Sequence, residues 1–332
     1  MHLKYLKISE IAKISKTSPY TVSRFFNKYP ENYILKKNKR IIGISPDAVE
    51  KYFLEHNLNF FYKPSIILSA NLCGGVGKTS TIFNMGCFMR KILKLSTPIL
   101  FIDCDSQASL TSLVTGEPAH DDQPTLIDYL ERKVPLNSIL SECGNNTWII
   151  KSNLNLSWAD RTLSKPNLLK NSFLHMYNDI YNVLGKDTII FQDHTPQLST
   201  LFASSVCALH QLKEKILKVI LIPLRSDKFA IQGGDYIIKE LDEIKETFSF
   251  ADNIDTHCFF SSIDNRISTT ANASKLARAK DTILKHLAPV VIRYCAEIPK
   301  SSMSNEDVFS KGTFNNAAQD YSNLLQYIYS YR

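Results

Sequence analysis

What the chain lacks narrows the possibilities first. No apolar run among its 332 residues approaches the ~20 needed to cross a bilayer as a helix. The N-terminus has no apolar core of the signal-peptide kind, so the chain is expected to stay in the cytoplasm. Seven cysteines, an odd number with no Cys-x-x-Cys spacing, argue against a disulfide framework and against a thiolate metal site. They read as free thiols in a reducing compartment. Internal repeats and low-complexity tracts are absent as well. With 44% hydrophobic and 21% charged residues, the chain has room for one large domain and one small one.

Most of the chain also lacks a net charge. Residues 64–332 carry 27 Lys/Arg and 27 Asp/Glu, whereas residues 1–63 carry 12 against 5. The whole excess of +7 therefore lies in the first fifth. A small basic module on a neutral body points to a polyanion as that module's partner.

What is present is dominated by Asn71–Ser80, reading Asn-Leu-Cys-Gly-Gly-Val-Gly-Lys-Thr-Ser. It follows the apolar run Ile66-Ile67-Leu68 and precedes a helix-like stretch, Thr79–Lys91. Strand, glycine turn, Lys-Thr and helix together make a cradle for a nucleotide triphosphate. Small residues at Gly74, Gly75, Val76 and Gly77 let backbone N–H groups approach phosphates, and the helix opening through Ser80 adds its positive end. Lys78 is then expected to reach the β/γ-phosphates of ATP, and the Thr79 hydroxyl to ligate Mg²⁺. The ordinary pattern asks for glycine six residues before the lysine, where this chain has Leu72.

Two more strands end in carboxylates. Leu100–Thr111 runs into a loop with Asp103, Asp105 and Gln107, and Asp187–Pro196 carries Asp193. One aspartate at a strand end is more often a loop cap than a ligand. Three such segments, in this order and within about 120 residues, point to phosphoryl transfer, which asks for positioning and charge neutralisation.

These segments resemble the ParA/MinD type of ATPase, whose phosphate loop is the variant Gly-Gly-x-Gly-Lys-Thr. The likeness covers roughly residues 64–332 and implies an α/β P-loop NTPase, a mostly parallel sheet flanked by helices, with ATP and Mg²⁺ as cofactors. Leu100–Thr111 is similar to the family's Asp-x-Asp-Pro-Gln motif, with Ser106 in place of proline. From it the resemblance assigns Asp105 to orienting the attacking water and Asp103 to supporting the magnesium shell, with Lys78 as the catalytic cation. Asp193-His-Thr-Pro196 resembles the Asp-x-x-Pro-Pro segment, with Gln197 where a second proline is usual, and implies that Asp193 holds Mg²⁺ through water. Val219–Pro223 with Ser226–Gly233, and the strand Cys258–Ile263, continue the likeness. Val291–Pro299 is the last strand, and Pro299 enters the loop that closes over the base.

The chain departs from the family at Cys73, where a signature lysine stands before the glycine pair. That lysine reaches across a dimer to the partner's phosphates. Its loss implies a weaker dimer, a lower basal hydrolysis or a different cation in the role, unless Cys73 is merely a tolerated small residue.

The basic first fifth has its own pattern. Ile8–Ser15 has helical spacing of Ile8, Ile11 and Ala12, with Ser9 as its cap. In Ser18–Asn27, Ser18 suits a cap and Pro19 a first helical position. Ala12, Ser18, Val22 and Phe25 or Phe26 are expected to meet where the two helices cross. Ser-x-x-Thr-Val-Ser-Arg resembles the recognition helix of helix-turn-helix repressors, with Lys16 where the turn usually has glycine. Pro19, Tyr20 and Arg24 are the expected base readers and Ser18, Thr21 and Ser23 the phosphate contacts. Tyr33–Gly43 alternates around a turn at Lys37-Asn38, a hairpin wing with Lys36, Lys37, Lys39 and Arg40 at its tip. Ser45-Pro-Asp opens a helix through about His56.

The expected organisation is a winged helix-turn-helix DNA-binding domain over 1–56, a linker over 57–64 and the ATPase over 65–332. Strands are expected near 65–71, 98–103, 187–192, 218–224, 255–261 and 291–297, with helices over 167–184, 231–248 and 271–287. A helix over 315–332 with a single cation packs on the core, which argues against a membrane-cycling ATPase.

The resemblance implies an ATP-switched homodimer that partitions DNA and is associated with the nucleoid. Its N-terminal domain binds an operator and autoregulates the operon, the ATP dimer binds non-specific DNA, and a ParB-like centromere-binding protein stimulates hydrolysis. Lys275, Arg278, Lys280, Lys285, Arg293, Lys300 and Lys311 are candidates for the non-specific contact. The alternative is an ATP-sensing transcriptional regulator with little or no hydrolysis.

Overall fold

Short runs that are apolar on both faces make parallel strands only if helices cover both sides of the sheet. The computed structural model, which describes residues 5–56, 63–213, 215–263, 280–310 and 315–330, has that form. An N-terminal segment comes first: α1 (Ile8–Ser15), α2 (Pro19–Phe26), a hairpin of β1 (Ile34–Lys37) and β2 (Arg40–Ile44), and α3 (Pro46–Glu55). The chain then runs through β3 (Ser65–Ser69), α4 (Lys78–Ile92), β4 (Ile99–Cys104), α5 (Ser109–Thr115) and α6 (Leu126–Leu130). Next are β5 (Leu140–Glu142), β6 (Thr147–Ile150), α7 (Ala159–Thr162), α8 (Pro166–Leu184), β7 (Ile189–His194), α9 (Thr200–Gln211) and β8 (Leu217–Leu224). The described chain closes with α10 (Lys228–Thr247), β9 (Asp255–Ile263), α11 (Asp281–His286), β10 (Leu287–Arg293), α12 (Glu297–Met303) and α13 (Asn316–Ser330).

The eight-stranded sheet has the order β10-β9-β8-β3-β7-β4-β6-β5, parallel except for the β5–β6 edge pair. β3, β7 and β4 are neighbours in register, so Ser69 pairs with Asp193 and Asp193 with Asp103. That register sets two aspartates and the start of the phosphate loop side by side at the carboxyl edge, where open α/β sheets carry their ligands. α4 lies so close to the sheet that a Cβ on Gly86 would stand 2.3 Å from Phe101 Cζ. α13 packs beside α4 on the same face of the sheet, burying Leu324, Leu325, Ile328 and Tyr329, and Tyr329 hydrogen-bonds the Ser65 hydroxyl at 2.6 Å. The expectation of a core-packing last helix holds for its described residues.

In the N-terminal segment, Leu6 adds a bridge to Ile44 at the hairpin's edge. Ile11, Val22, Phe26, Ile44, Val49, Tyr52 and Phe53 are buried, and they continue into the same apolar cluster as Phe88 and Met89 of α4 and Leu325 of α13. Gln326 of α13 donates to the Ile14 carbonyl at 3.0 Å, and Glu50 of α3 accepts from the Lys94 amide. The segment is thus mounted on the α4/α13 face through α1 and α3. Residues 57–62 of the expected linker lie outside the described residues.

Several local expectations need correction. The last strand is Leu287–Arg293 and not 291–297: β10 is an edge strand, which tolerates Pro289, and it begins directly where α11 ends. Most of the helix expected over 271–287 falls outside the described residues, and its described part is Asp281–His286. The β5–β6 hairpin has no counterpart among the expected strands, because three and four residues carry too little alternation to read. The turn of the first hairpin is Asn38-Lys39, both at positive φ (50° and 62°), which matches the twist of the flanking strands. Lys7, not Ser9, stands at the cap of α1, with its amide donating to Glu10 at 2.7 Å.

Candidate nucleotide site

The loop between β3 and α4 is held from both ends. Asn71 accepts from the Cys73 amide at 2.8 Å and donates to the carbonyls of Pro223 (2.8 Å) and Ala230 (3.1 Å), fastening the loop to the end of β8 and the start of α10. The buried Ser261 hydroxyl of β9 donates to the Val76 carbonyl. Gly75 and Gly77 have φ of 67° and 92°, a backbone region that L side chains rarely adopt. Gly77 precedes the first turn of α4, whose N–H groups have no partners within the helix.

The loop borders a cleft of about 460 Å³, within the ~300–1,000 Å³ usual for small-molecule sites. Gly74, Gly75, Gly77, Lys78, Thr79 and Ser80 line it from one side and Asp105 from below. Pro299, Tyr294 and Ile298 line it from the α12 side, and Tyr321 of α13 completes the wall. Val76 faces inward and is fully buried.

Beneath the cleft is a group of buried charges. Lys78 is 7% exposed and donates to the Cys73 carbonyl at 3.1 Å. Burial pulls its pKa down, while Asp193 and Asp105 act the other way. Thr79 Oγ1 donates to Asp193 Oδ2 at 2.6 Å. Asp193 is fully buried, and its Oδ1 has no hydrogen-bond partner among the described residues. Burial, and then the neighbouring Asp103, drives its pKa well above the carboxylate range. A carboxylate oxygen without a partner beside a threonine hydroxyl is a hard-oxygen set short of a cation, and it fits Mg²⁺. His194, next along β7, is kept neutral by burial, with a pKa pulled down to about 3.

Asp103 and Asp105 differ more than their shared motif suggests. Asp103 Oδ2 accepts from the Thr111 amide (2.7 Å) and hydroxyl (2.8 Å), and Oδ1 from the Asp105 amide (3.1 Å). Burial raises its pKa to about 6 against the pull of those donors. Both oxygens of Asp103 thus hold the loop and α5 in place. Asp105 borders the cleft, with Oδ1 accepting from the Gln107 amide at 3.0 Å. Its carbonyl accepts from the Ser152 hydroxyl at 2.7 Å, so the segment after β6 steadies it too.

Asn71, Ser261, Ser152 and Tyr321 are not legible as site residues in the sequence. Asn71 borders the phosphate-loop motif and Ser261 ends a strand, but a polar residue at a strand end carries no motif of its own.

The residues expected to meet DNA form another group. Pro19, Tyr20, Thr21 and Arg24 on α2 are exposed, and Tyr20 and Arg24, four residues apart, share one face of the helix. The Ser18 hydroxyl is engaged as the helix cap, accepting from the Thr21 amide at 3.1 Å. Lys37, Lys39 and Arg40 are exposed, whereas Lys36 pairs with Glu31 at 2.6 Å. Lys16 ends α1 in the left-handed region, at φ 54°. Of the cations expected to touch non-specific DNA, Lys275, Arg278 and Lys311 lie outside the described residues. Lys280 pairs with Asp235 at 2.7 Å, and Arg293 grips Asp320 through two nitrogens.

Comparison with known proteins gives the family and the fold. A family model described as AAA domain matches residues 64–255. The cell division protein PomZ of Myxococcus xanthus is 23% identical over 266 residues, covering 79% of this chain and 76% of that protein. The structure of apo McdA from Cyanothece superposes with a TM-score of 0.64 at 18% identity, covering 80% of this chain and 98% of that one. A plasmid partition protein from Borrelia burgdorferi bound to AMPPNP gives 0.59 at 20% identity, over 80% of this chain and 98% of that one. Among the described residues no helix is long and apolar enough to cross a membrane. With a family match over more than half its length and a phosphate loop, lysine, threonine and aspartate brought together at one sheet edge, the chain belongs to the AAA domain family, as a ParA/MinD-like P-loop ATPase.

Proposed function

We propose that this chain is an ATP-switched partition or positioning protein that binds DNA, works as a homodimer and is driven through its cycle by a ParB-like partner. The observation that carries the proposal is the pairing of an exposed basic N-terminal segment with a P-loop site whose charges are buried. In this reading Lys78 and the amides of Gly74–Ser80 hold the phosphates, while Pro299 borders the base. Thr79 and Asp193 hold Mg²⁺, which when bound neutralises phosphate charge. Asp105 accepts a hydrogen bond from water and aims it, and Asp103 keeps the Asp105 loop in place.

A dimer across the nucleotide mouth is supported by exposed large apolar residues on the segments that follow β6, β7 and β8. Leu154, Trp158, Leu198 and Phe229 are 68%, 57%, 47% and 75% exposed. A monomer gains nothing from leaving such a group in water, and a partner covering it would.

For residues 1–56 we propose a winged helix-turn-helix domain that binds an operator and autoregulates the operon. Support comes from the short α1–α2 connection, the cationic hairpin tip and the exposed Tyr20–Arg24 face of α2. Nucleoid association would follow from non-specific DNA binding by the ATP dimer. The deciding experiment measures ATP turnover and DNA binding together, with and without the product of the neighbouring gene. Stimulated turnover with DNA release supports the proposal. The missing lysine at Cys73 favours a second reading, an ATP-sensing regulator, and operator binding with no turnover under any condition would select it.

A further inference from the structure

Cys73 stands where the ParA/MinD pattern that this loop resembles has a lysine, and the structure brings another cation to the loop from a distant part of the chain. Arg225 is the first residue past β8, and β8 pairs directly with β3, the strand that enters the loop. Its Nη1 would stand 3.5 Å from a Cβ built at Gly75, so the guanidinium lies against the bare backbone of the glycine turn. The side chain is 47% exposed and therefore not committed to the interior.

Its orientation is set by Asp227. Asp227 Oδ2 is 3.4 Å from Arg225 Nε, while Oδ1 accepts from the Ala230 amide at 2.9 Å and caps α10. The capping bond fixes the carboxylate, and the carboxylate holds the Nε edge of the planar guanidinium. The terminal nitrogens are left to project toward the loop. Lys78 cannot serve in this place, because it lies buried on the inner side of the loop, bonded to the Cys73 carbonyl. The Cys73 thiol is turned to the Gly74 carbonyl at 3.5 Å.

We propose that Arg225 is a phosphate-contacting residue of this ATPase, bringing a positive charge over Gly75. It acts on the nucleotide held by its own loop, through charge-assisted hydrogen bonds from the guanidinium fork. The proposal rests on the reading of the cleft as the ATP site.

The test is nucleotide affinity, measured with the full-length chain by titration calorimetry with Mg·ATP at protein concentrations where sedimentation finds a monomer. Arg225→Ala is expected to weaken binding about tenfold or more, and Arg225→Lys to recover part of the loss. Arg225→Gln, which keeps most of the side-chain volume, separates loss of charge from loss of packing, and thermal melts confirm that each variant is folded. Lys78→Ala is the control for the site itself. If Lys78→Ala loses binding while folded Arg225→Ala and Arg225→Gln bind like the wild type, Arg225 has no such role and the ATP site stands. A loss that appears only where dimers form overturns the same-loop contact. Wild-type affinity in Lys78→Ala would overturn the reading of the cleft.

Discussion

The two ends of this protein use charge in opposite ways. In the N-terminal segment the informative cations are on the outside: Arg24, Lys37, Lys39 and Arg40 are exposed and lie on a short helix and a hairpin tip. In the ATPase the informative charges are inside: Lys78, Asp103 and Asp193 are buried under the phosphate loop, and Lys91 pairs with Asp307 in the core at 3.3 Å. An exposed cation is little altered by its neighbours and offers a polyanion long-range attraction that salt weakens. A buried charge is costly unless matched, so its partner is specified atom by atom. Net charge therefore points to the first region and says nothing of the second, which is neutral as a whole.

Substitutions sharpen that contrast, and the largest effect belongs to the buried side. Asp105→Ala should leave ATP binding intact and cut turnover by roughly 10²–10⁴-fold, the range of a positioned proton acceptor. Lys78→Ala should instead lose binding. Single-turnover hydrolysis alongside equilibrium binding separates the two, and equal turnover in wild type and Asp105→Ala would remove Asp105 from the chemistry.

Next comes Gly86→Ala, which puts a methyl where Phe101 Cζ is 2.3 Å away. Overpacking of this kind costs about 1–3 kcal/mol, and because α4 carries Lys78 and Thr79 the displacement should reach the site. Stability to chemical denaturation and ATP affinity should fall together. A stable variant with unchanged affinity would mean that α4 can move off the sheet freely.

On the exposed side, Arg24→Ala should cost about 1–3 kcal/mol of discrimination between operator and random DNA. Neutralising Lys37, Lys39 and Arg40 should weaken binding to every sequence and reduce the salt slope by about 0.9 for each phosphate no longer neutralised. Footprinting and salt titrations distinguish the two kinds of loss. Identical effects from both variants would break the division into readers and positioners.

The smallest expected effect is at Lys16, left-handed at φ 54° between α1 and α2. An L side chain there carries about 1–2 kcal/mol of strain, part of which glycine returns as greater freedom in the unfolded chain. Lys16→Gly should stabilise the segment by about 0.5 kcal/mol with little change in DNA affinity. A lower melting temperature would show that the lysine side chain holds the turn.

Particular elements show where reading from sequence succeeds. The strands at Ser65–Ser69, Ile99–Cys104, Ile189–His194 and Leu217–Leu224 are legible because each is a solid apolar run ended by a polar residue or a proline. α8 and α10 are legible through helical spacing over 19 and 20 residues. β5 and β6 are not, since three or four residues do not establish a period, and the expected β10 starts late because Pro289 reads as a break although an edge strand tolerates it. Within the site, Lys78 and Thr79 come from one contiguous motif. Asp103 and Asp105 come from another, but nothing in that motif says which of the two faces the cleft.

The sequence by itself determined the phosphate loop, the order of the carboxylates along the chain, the parallel α/β class and the concentration of positive charge in the first fifth. All of these are written in local spacing or in composition, and neither depends on what the distant chain is doing. Only the tertiary structure decided that Asp103 gives both oxygens to α5 and its own loop while Asp193 keeps one without a partner among the described residues. It alone set Arg225 against Gly75 across 150 positions of chain and joined α1 and α3 to the face of α4 and α13. Strand order and register bring these residues together, and the pairing of β3 with β8 and β7 rests on the packing of the whole sheet, which no short window of sequence contains.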